Sequence, residues 1–177
     1  RQLAQDHLSE TQLSDLNIAL SELKTGKPFQ QILGETEFYG FQFFVDENVL
    51  IPRPETEELL ELAILKIQNS KLKLQDLKIV DIGTGSGIIP IVLKKHFPEA
   101  EISAVDFSEM ALKIARKNAE FHEVEINFLH QDYLSENLTE VYDVIISNPP
   151  YIGMEEAVEI EDTVKGFEPQ MALFSPT

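Results

Sequence analysis

The stretch Asp81-Ile82-Gly83-Thr84-Gly85-Ser86-Gly87 constrains this chain most. It follows the apolar run Lys78 to Ile82, which reads as a strand, and leads into an apolar segment to about His96 that reads as a helix. Glycines at such a junction let a ligand approach the backbone closely, beside the N–H groups that open the helix. The alternation then repeats. Glu101 to Asp106 reads as a second strand, Ser108 caps a helix to about Glu120, Ile126 to His130 is a third strand and Val141 to Ser147 a fourth. Strands alternating with helices predict an α/β chain, a parallel sheet with helices on both faces.

The glycine pattern narrows the ligand. The dinucleotide fingerprint G-x-G-x-x-G/A needs a third small residue where Ile88 stands, and a P-loop needs a Gly-Lys-Ser or Gly-Lys-Thr that is absent. The pattern D-x-G-x-G-x-G suits a ligand that wants close backbone contact without a pyrophosphate. Asp106, ending the second strand, is placed to accept both hydroxyls of a ribose. Asp132 and Tyr133 end the third strand, where an adenine ring can lie against Tyr133. A nucleoside with a small zwitterionic tail, S-adenosylmethionine, fits Asp81, Gly83, Thr84, Gly85, Ser86, Gly87, Asp106, Asp132 and Tyr133 together. The plain alternative is a tight βα turn with no ligand.

The second landmark is Ser147-Asn148-Pro149-Pro150-Tyr151. It leaves the fourth strand at its carboxyl end, where open α/β sheets bind ligands. Two prolines remove two donors and fix two φ angles. Asn148 adds a carbonyl acceptor and an NH2 donor, and Tyr151 a flat face with a polar tip. Such a corner can hold a planar group carrying an NH2. Taken alone it is also an ordinary Asn-Pro turn; the glycine loop upstream is what favours a site.

The amino-terminal part is different in kind. Leu13, Leu16, Leu20 and Leu23 recur at helical spacing, Gly26 ends that helix and Pro28 prevents its resumption. Phe38 to Val45 predicts an aromatic hairpin turning at Gly40, whose rings read as packing in preference to a ligand cage. In Val49-Leu50-Ile51-Pro52-Arg53-Pro54-Glu55-Thr56-Glu57 the prolines stiffen a loop, and a helix is expected from about Thr56 to Gln68. Arg53 reads equally as an anion clamp or as a surface residue in a linker. The acidic run Glu155 to Asp162 reads as a solvated helix, with a lid as the alternative.

Composition excludes some classes. Cysteine is absent, which removes disulfides and thiolate metal sites. The four histidines His7, His96, His122 and His130 lack metal-ligand spacing. A net charge of -17 with no basic cluster opposes a nucleic-acid substrate. No apolar run approaches the roughly 20 residues of a membrane span. A cytoplasmic monomer is the expectation, with neither a metal nor a membrane partner.

From Gly26 onward the chain resembles the HemK-type glutamine N5-methyltransferases that modify peptide-chain release factors. The resemblance rests on Gly26-Lys27-Pro28, the aromatic hairpin, the Pro52-Arg53-Pro54 stretch, the glycine loop, Asn148-Pro149-Pro150-Tyr151, and Phe167-Glu168-Pro169 followed by Ala172-Leu173-Phe174. The Arg53 stretch is the most particular of these; the Asn-Pro-Pro-Tyr motif is shared with DNA adenine methyltransferases.

The resemblance implies a Rossmann-like S-adenosylmethionine-dependent methyltransferase fold with a small amino-terminal helical segment and a β-hairpin. It also implies methyl transfer to the side-chain amide of glutamine in a Gly-Gly-Gln motif, leaving S-adenosylhomocysteine. Asn148, Pro149 and Tyr151 are then the catalytic residues, and Arg53, Asn148, Pro149, Pro150 and Tyr151 hold the substrate. The release factor is the implied partner. A ribosomal-protein glutamine, a nucleic-acid adenine N6 and a non-catalytic binding module are the rival readings. The chain is expected to start inside a helical recognition domain (residues 1–36), to cross a hairpin linker (37–52) and to end within the methyltransferase domain (53–177), before the strands that complete its sheet.

Overall fold

A computed structural model describes residues 8–150, 152–153 and 166–175. Helix α1 spans Glu10–Lys24. Ser9 caps it, its Oγ accepting from the Gln12 N–H at 3.2 Å while the Gln12 side chain accepts from the Ser9 N–H at 2.9 Å. The helix stops at Lys24 and Gly26 turns the chain at φ +88°. Pro28 does more than block continuation: it sits at the N-cap of a second helix, α2 (Phe29–Leu33), whose start needs no proline N–H. The leucine stripe of α1 faces solvent, and the helix buries none of its residues.

Strands β1 (Glu35–Phe38) and β2 (Phe41–Phe44) form the hairpin. Its two turn residues, Tyr39 and Gly40, have φ of +53° and +73°. Positive φ at both positions matches the twist of a two-residue hairpin. The hairpin begins at Glu35, ahead of the aromatic run, because strand pairing recruits Glu35, Thr36 and Glu37 despite their modest β propensity. Its rings are packing elements. Phe38 and Phe43 are core residues with Tyr39 and Phe41 packed against them, and the Phe44 ring lies 5.2 Å from that of Phe121.

Helix α3 (Pro54–Gln68) starts two residues earlier than the sequence reading places it. Pro54 occupies the first turn, where a fixed φ near −65° is already helical and a missing N–H costs nothing. Thr56, Leu60, Ile64 and Ile67 are its buried face.

The main sheet follows: β3 (Lys78–Ile82), α4 (Ile88–His96), β4 (Glu101–Asp106), α5 (Glu109–Phe121), β5 (Asn127–His130) and β6 (Val144–Ser147). All strands are parallel, in the order β5-β4-β3-β6. Both helical crossovers step the same way across the sheet, so the right-handed rule sets α4 and α5 side by side, and α3 packs on α4. The sequence predicts helices on both faces; among the described residues the strand-connecting helices share one, because no described helix joins β5 to β6. The core lies between this row and the sheet, with Ile79, Ile91, Val92, Leu93 and Ile102 essentially inaccessible. The order reverses at β3, which has β4 on one side and β6 on the other. That is a topological switch point. Strand β6 is the edge of the described sheet, and Ile145 on it is 61% exposed. Two short strands, β7 (Ile152–Gly153) and β8 (Phe174–Ser175), pair in parallel beyond it, next to a short helix, Gln170–Leu173. Among the described residues no helix is long and apolar enough to cross a membrane.

Candidate functional site

Two strand ends meet at the switch point. Ile82 of β3 pairs in register with Ser147 of β6, and the Ser147 hydroxyl donates to the Ile82 carbonyl at 2.8 Å. Gly83 and Asn148, the next residues, therefore leave adjacent strands side by side, about one strand spacing (~5 Å) apart.

The turn after β3 is pinned at nearly every residue. Gly83, Gly85 and Gly87 have φ of +75°, +55° and +80°. The N–H groups of Gly83 and Thr84 both donate to the Val105 carbonyl, at 2.9 and 3.0 Å. Gly85 N–H donates to Asp106 Oδ2 at 2.8 Å, and Asn118 Nδ2 donates to the Ser86 carbonyl at 2.8 Å. The glycines divide in function. A Cβ on Gly87 would lie 2.9 Å from Ala115 Cβ, so that glycine lets α5 pack against the turn. A Cβ on Gly83 or Gly85 would meet nothing within 4 Å, so those two leave the cradle open.

The acidic residues also divide. Asp106 holds the turn with one carboxylate oxygen and accepts from Ser108 N–H with the other, at 2.9 Å; a carboxylate can accept about four hydrogen bonds, so capacity remains for a ligand. Asp132 accepts from Leu134 N–H and Ser135 Oγ, which shapes the turn after β5 and brings Tyr133 to the site. Asp81 is wholly buried on β3, and neither of its carboxyl oxygens finds a hydrogen-bond partner among the described residues. Burial pushes its carboxyl up to about 7; the Asp106 charge adds to this, while the nearby Thr84 hydroxyl opposes it without reaching hydrogen-bonding geometry. Thr84 and Ser86 are buried beneath the turn.

At the corner after β6, Asn148 Nδ2 donates to Thr56 Oγ1 at 3.1 Å. Among the described residues its Oδ1 carries no hydrogen bond. Pro149 is exposed and Pro150 half-buried. Tyr151 and the segment Glu155 to Asp162 lie outside the described residues.

Arg53 stands apart from this arrangement. Its Nη2 pairs with Glu168 Oε1 at 2.7 Å, and Glu168 Oε2 accepts from the Ile51 N–H at 3.1 Å. Of its two sequence readings the clamp is nearer, but the anion is the chain's own Glu168, whose side chain is almost fully buried.

A single cavity of about 440 Å³ joins the two strand ends. Of the residues singled out in the sequence, Gly83, Gly85, Asp106, Asp132, Tyr133, Asn148, Pro149 and Pro150 line it. Asp81, Thr84, Ser86 and Gly87 lie behind that surface, and Arg53 is not part of it. The sequence reading misses the apolar wall, chiefly Phe107, Leu134, Val49 and Met171. Phe107 had a signal, since it directly follows the strand-end Asp106; Val49 and Met171 come from distant segments. It also misses Asn118, fully buried on α5, which bonds the Ser86 carbonyl and both backbone polar groups of Phe44. A second concavity, between α2 and the hairpin, contains none of the residues singled out for cofactor or substrate.

The family model described as "Methyltransferase small domain" matches residues 63–164. The release factor glutamine methyltransferase of Flavobacterium psychrophilum is 49% identical over 169 residues, which cover 94% of this chain and 59% of that protein. The protein of the same name from Chlorobaculum tepidum is 44% identical over 186 residues, covering 99% of this chain and 63% of that protein. The chain thus spans less than two thirds of the length of these curated relatives. Among solved structures, M. jannaschii TYW2 in complex with AdoMet aligns with a TM-score of 0.53 at 20% identity, over 67% of this chain and 52% of that one, a likeness of fold.

Proposed function

Because this chain belongs to the methyltransferase small domain family, we propose that it carries the S-adenosylmethionine site and the amide-holding corner of a release factor glutamine N5-methyltransferase. The observation that carries the proposal is the Ile82–Ser147 register, which sets the glycine turn and Asn148 around one cavity.

The residues present fit the cofactor. Gly83 and Gly85 leave room where any side chain would intrude. Among the described residues the buried Asp81 carboxyl has no hydrogen-bond partner, and a cationic ligand group near it would favour its charged form. Asp106 keeps acceptor capacity for a ribose diol, and Tyr133 and Phe107 offer flat apolar surface for a base. S-adenosylmethionine supplies a methyl group on a sulfonium, which departs as the neutral thioether S-adenosylhomocysteine.

The chain's own contribution is to make a poor nucleophile available. The lone pair of an amide nitrogen is delocalised into its carbonyl. Asn148 Oδ1, which carries no hydrogen bond among the described residues, would accept one N–H of a glutamine side chain, and the Pro149 carbonyl, in a residue that lines the same cavity, would accept the other. Two acceptors orient the amide plane and favour electron density on nitrogen as the N–C bond forms. As the N–C bond forms and the C–S bond breaks, the nitrogen sheds one proton, which passes to solvent.

The test is mass spectrometry of a release factor after incubation with the full-length protein and S-adenosylmethionine. One added methyl on the glutamine of Gly-Gly-Gln is expected. An unmodified release factor, with label found instead on a ribosomal protein or a nucleic acid, would overturn the substrate assignment and leave the amide or exocyclic-amine chemistry of the corner in place.

A further inference from the structure

A side-chain amide is nearly symmetric in shape but not in chemistry. Asn148 serves the proposed reaction only if its oxygen, and not its NH2, faces the substrate nitrogen. With the amide rotated by half a turn, two donors would meet two donors. Something must therefore hold the amide one way round.

The hydrogen bond from Asn148 Nδ2 to Thr56 Oγ1, at 3.1 Å, joins residues 92 positions apart. Thr56 is 4% exposed and lies in the first turn of α3, just after the Pro52-Arg53-Pro54 stretch. That turn is itself held. Pro54 fixes the helix start, Thr56 N–H bonds the Arg53 carbonyl at 3.0 Å, and Arg53 is tied to the buried Glu168. A buried hydroxyl on a fixed helical turn, which does not line the cavity, thus meets the amide.

We propose that Thr56 is a positioning residue: by accepting from Asn148 Nδ2 it fixes the amide so that Oδ1 faces the methyl-acceptor nitrogen. This rests on the reading of Asn148 given above and extends it to a residue that touches neither substrate nor cofactor. It also gives the proline-flanked stretch a role in turnover that does not require Arg53 to meet substrate. The orientation follows from two requirements together. The NH2 is offered an acceptor by the buried Thr56 hydroxyl, and the substrate needs the oxygen. A threonine hydroxyl could also donate to Oδ1, and only the reaction selects the arrangement in which it accepts.

The experiment compares Thr56→Val, of nearly the same shape but without the hydroxyl, with Thr56→Ser, which keeps it. Both are made in the full-length protein. Thr56→Val should lower kcat on a release factor about tenfold, the scale of one hydrogen bond that orients a reacting group, with KM for S-adenosylmethionine within about twofold. Thr56→Ser should recover most of the rate. The 15N-labelled side-chain amide resonances of Asn148 should move in Thr56→Val and stay near their wild-type positions in Thr56→Ser.

Unmoved resonances in Thr56→Val would overturn the proposal whatever the rate. So would a serine variant as slow as the valine variant, since keeping the hydroxyl would then not restore the rate. If the wild-type protein leaves release factors unmodified, the substrate reading fails, and the resonances still decide whether Thr56 holds the amide.

Discussion

The two strand ends at the switch point reach rigidity by opposite means. The turn after β3 is held by hydrogen bonds: Val105, Asp106 and Asn118 each engage its backbone, and Ala115 closes against Gly87. The corner after β6 is held by covalent rings. Pro149 and Pro150 offer no N–H groups, and its side-chain hydrogen bonds among the described residues are those of Ser147 and Asn148. A cradle for a whole ligand needs many backbone groups in fixed places. A corner that presents acceptors to one amide gains from having few donors to compete for them. The difference implies that damage to the turn should appear in stability and cofactor affinity, and damage to the corner in turnover alone.

The largest separation is expected from Asn148→Ala. Turnover on a release factor should fall about 100-fold or more, corresponding to about 3 kcal/mol, while calorimetry gives a cofactor Kd within about twofold of wild type. Equal losses in both would mean that the corner belongs to the cofactor cradle and the contrast is false.

Next is the pair Gly87→Ala and Gly85→Ala, both at positive φ. The first also drives a Cβ into Ala115 and should cost about 2–3 kcal/mol in denaturant unfolding, because α5 cannot yield at its backbone. The second meets open space and should cost about 1 kcal/mol of stability, yet weaken cofactor binding more. Similar stability losses would erase the division between packing and cradle glycines.

The smallest effect concerns pH. The Asp81 carboxyl, pushed up to about 7, holds in the folded protein a proton that the unfolded chain releases near its usual 3.8. Its contribution to stability is therefore complete below about pH 4 and lost as pH rises through 7. The ligand-free protein should lose on the order of 2 kcal/mol between pH 5 and pH 8, and Asp81→Asn should flatten that slope. Affinity for the cationic cofactor should change in the opposite sense, rising with pH through 7 as the carboxylate forms. A wild-type slope that persists in Asp81→Asn would assign it to other groups.

The sheet and both landmarks are legible in the sequence because their signals are local. An apolar run of four to six residues, a D-x-G-x-G-x-G turn, and Ser108 before an amphipathic segment each carry their meaning within a few positions. The prolines mislead in a consistent way. Pro28 and Pro54 read as helix breakers and stand at helix starts, since the same missing N–H forbids the interior and suits the first turn. What stays hidden is whatever depends on distant partners. Thr56 meets Asn148 from 92 positions away, Asn118 bonds Phe44 across 74, and Ile51 meets Glu168 across 117. Nothing around Asn118 distinguishes it from a surface helix residue until the fold folds the hairpin over it. Arg53 illustrates the same limit, because its anion is a residue of its own chain.

The shared rung between Ile82 and Ser147 bears on how an enzyme of the proposed kind could change. Since the gap between the donor and acceptor halves is a property of the ladder, loop contents on either side are free to drift without altering it. Sliding β6 by a single rung, however, would carry Asn148 about 3 Å along the sheet and turn it to the opposite side. New acceptors for the methyl group are therefore more readily reached by reshaping the cavity walls than by relocating the corner.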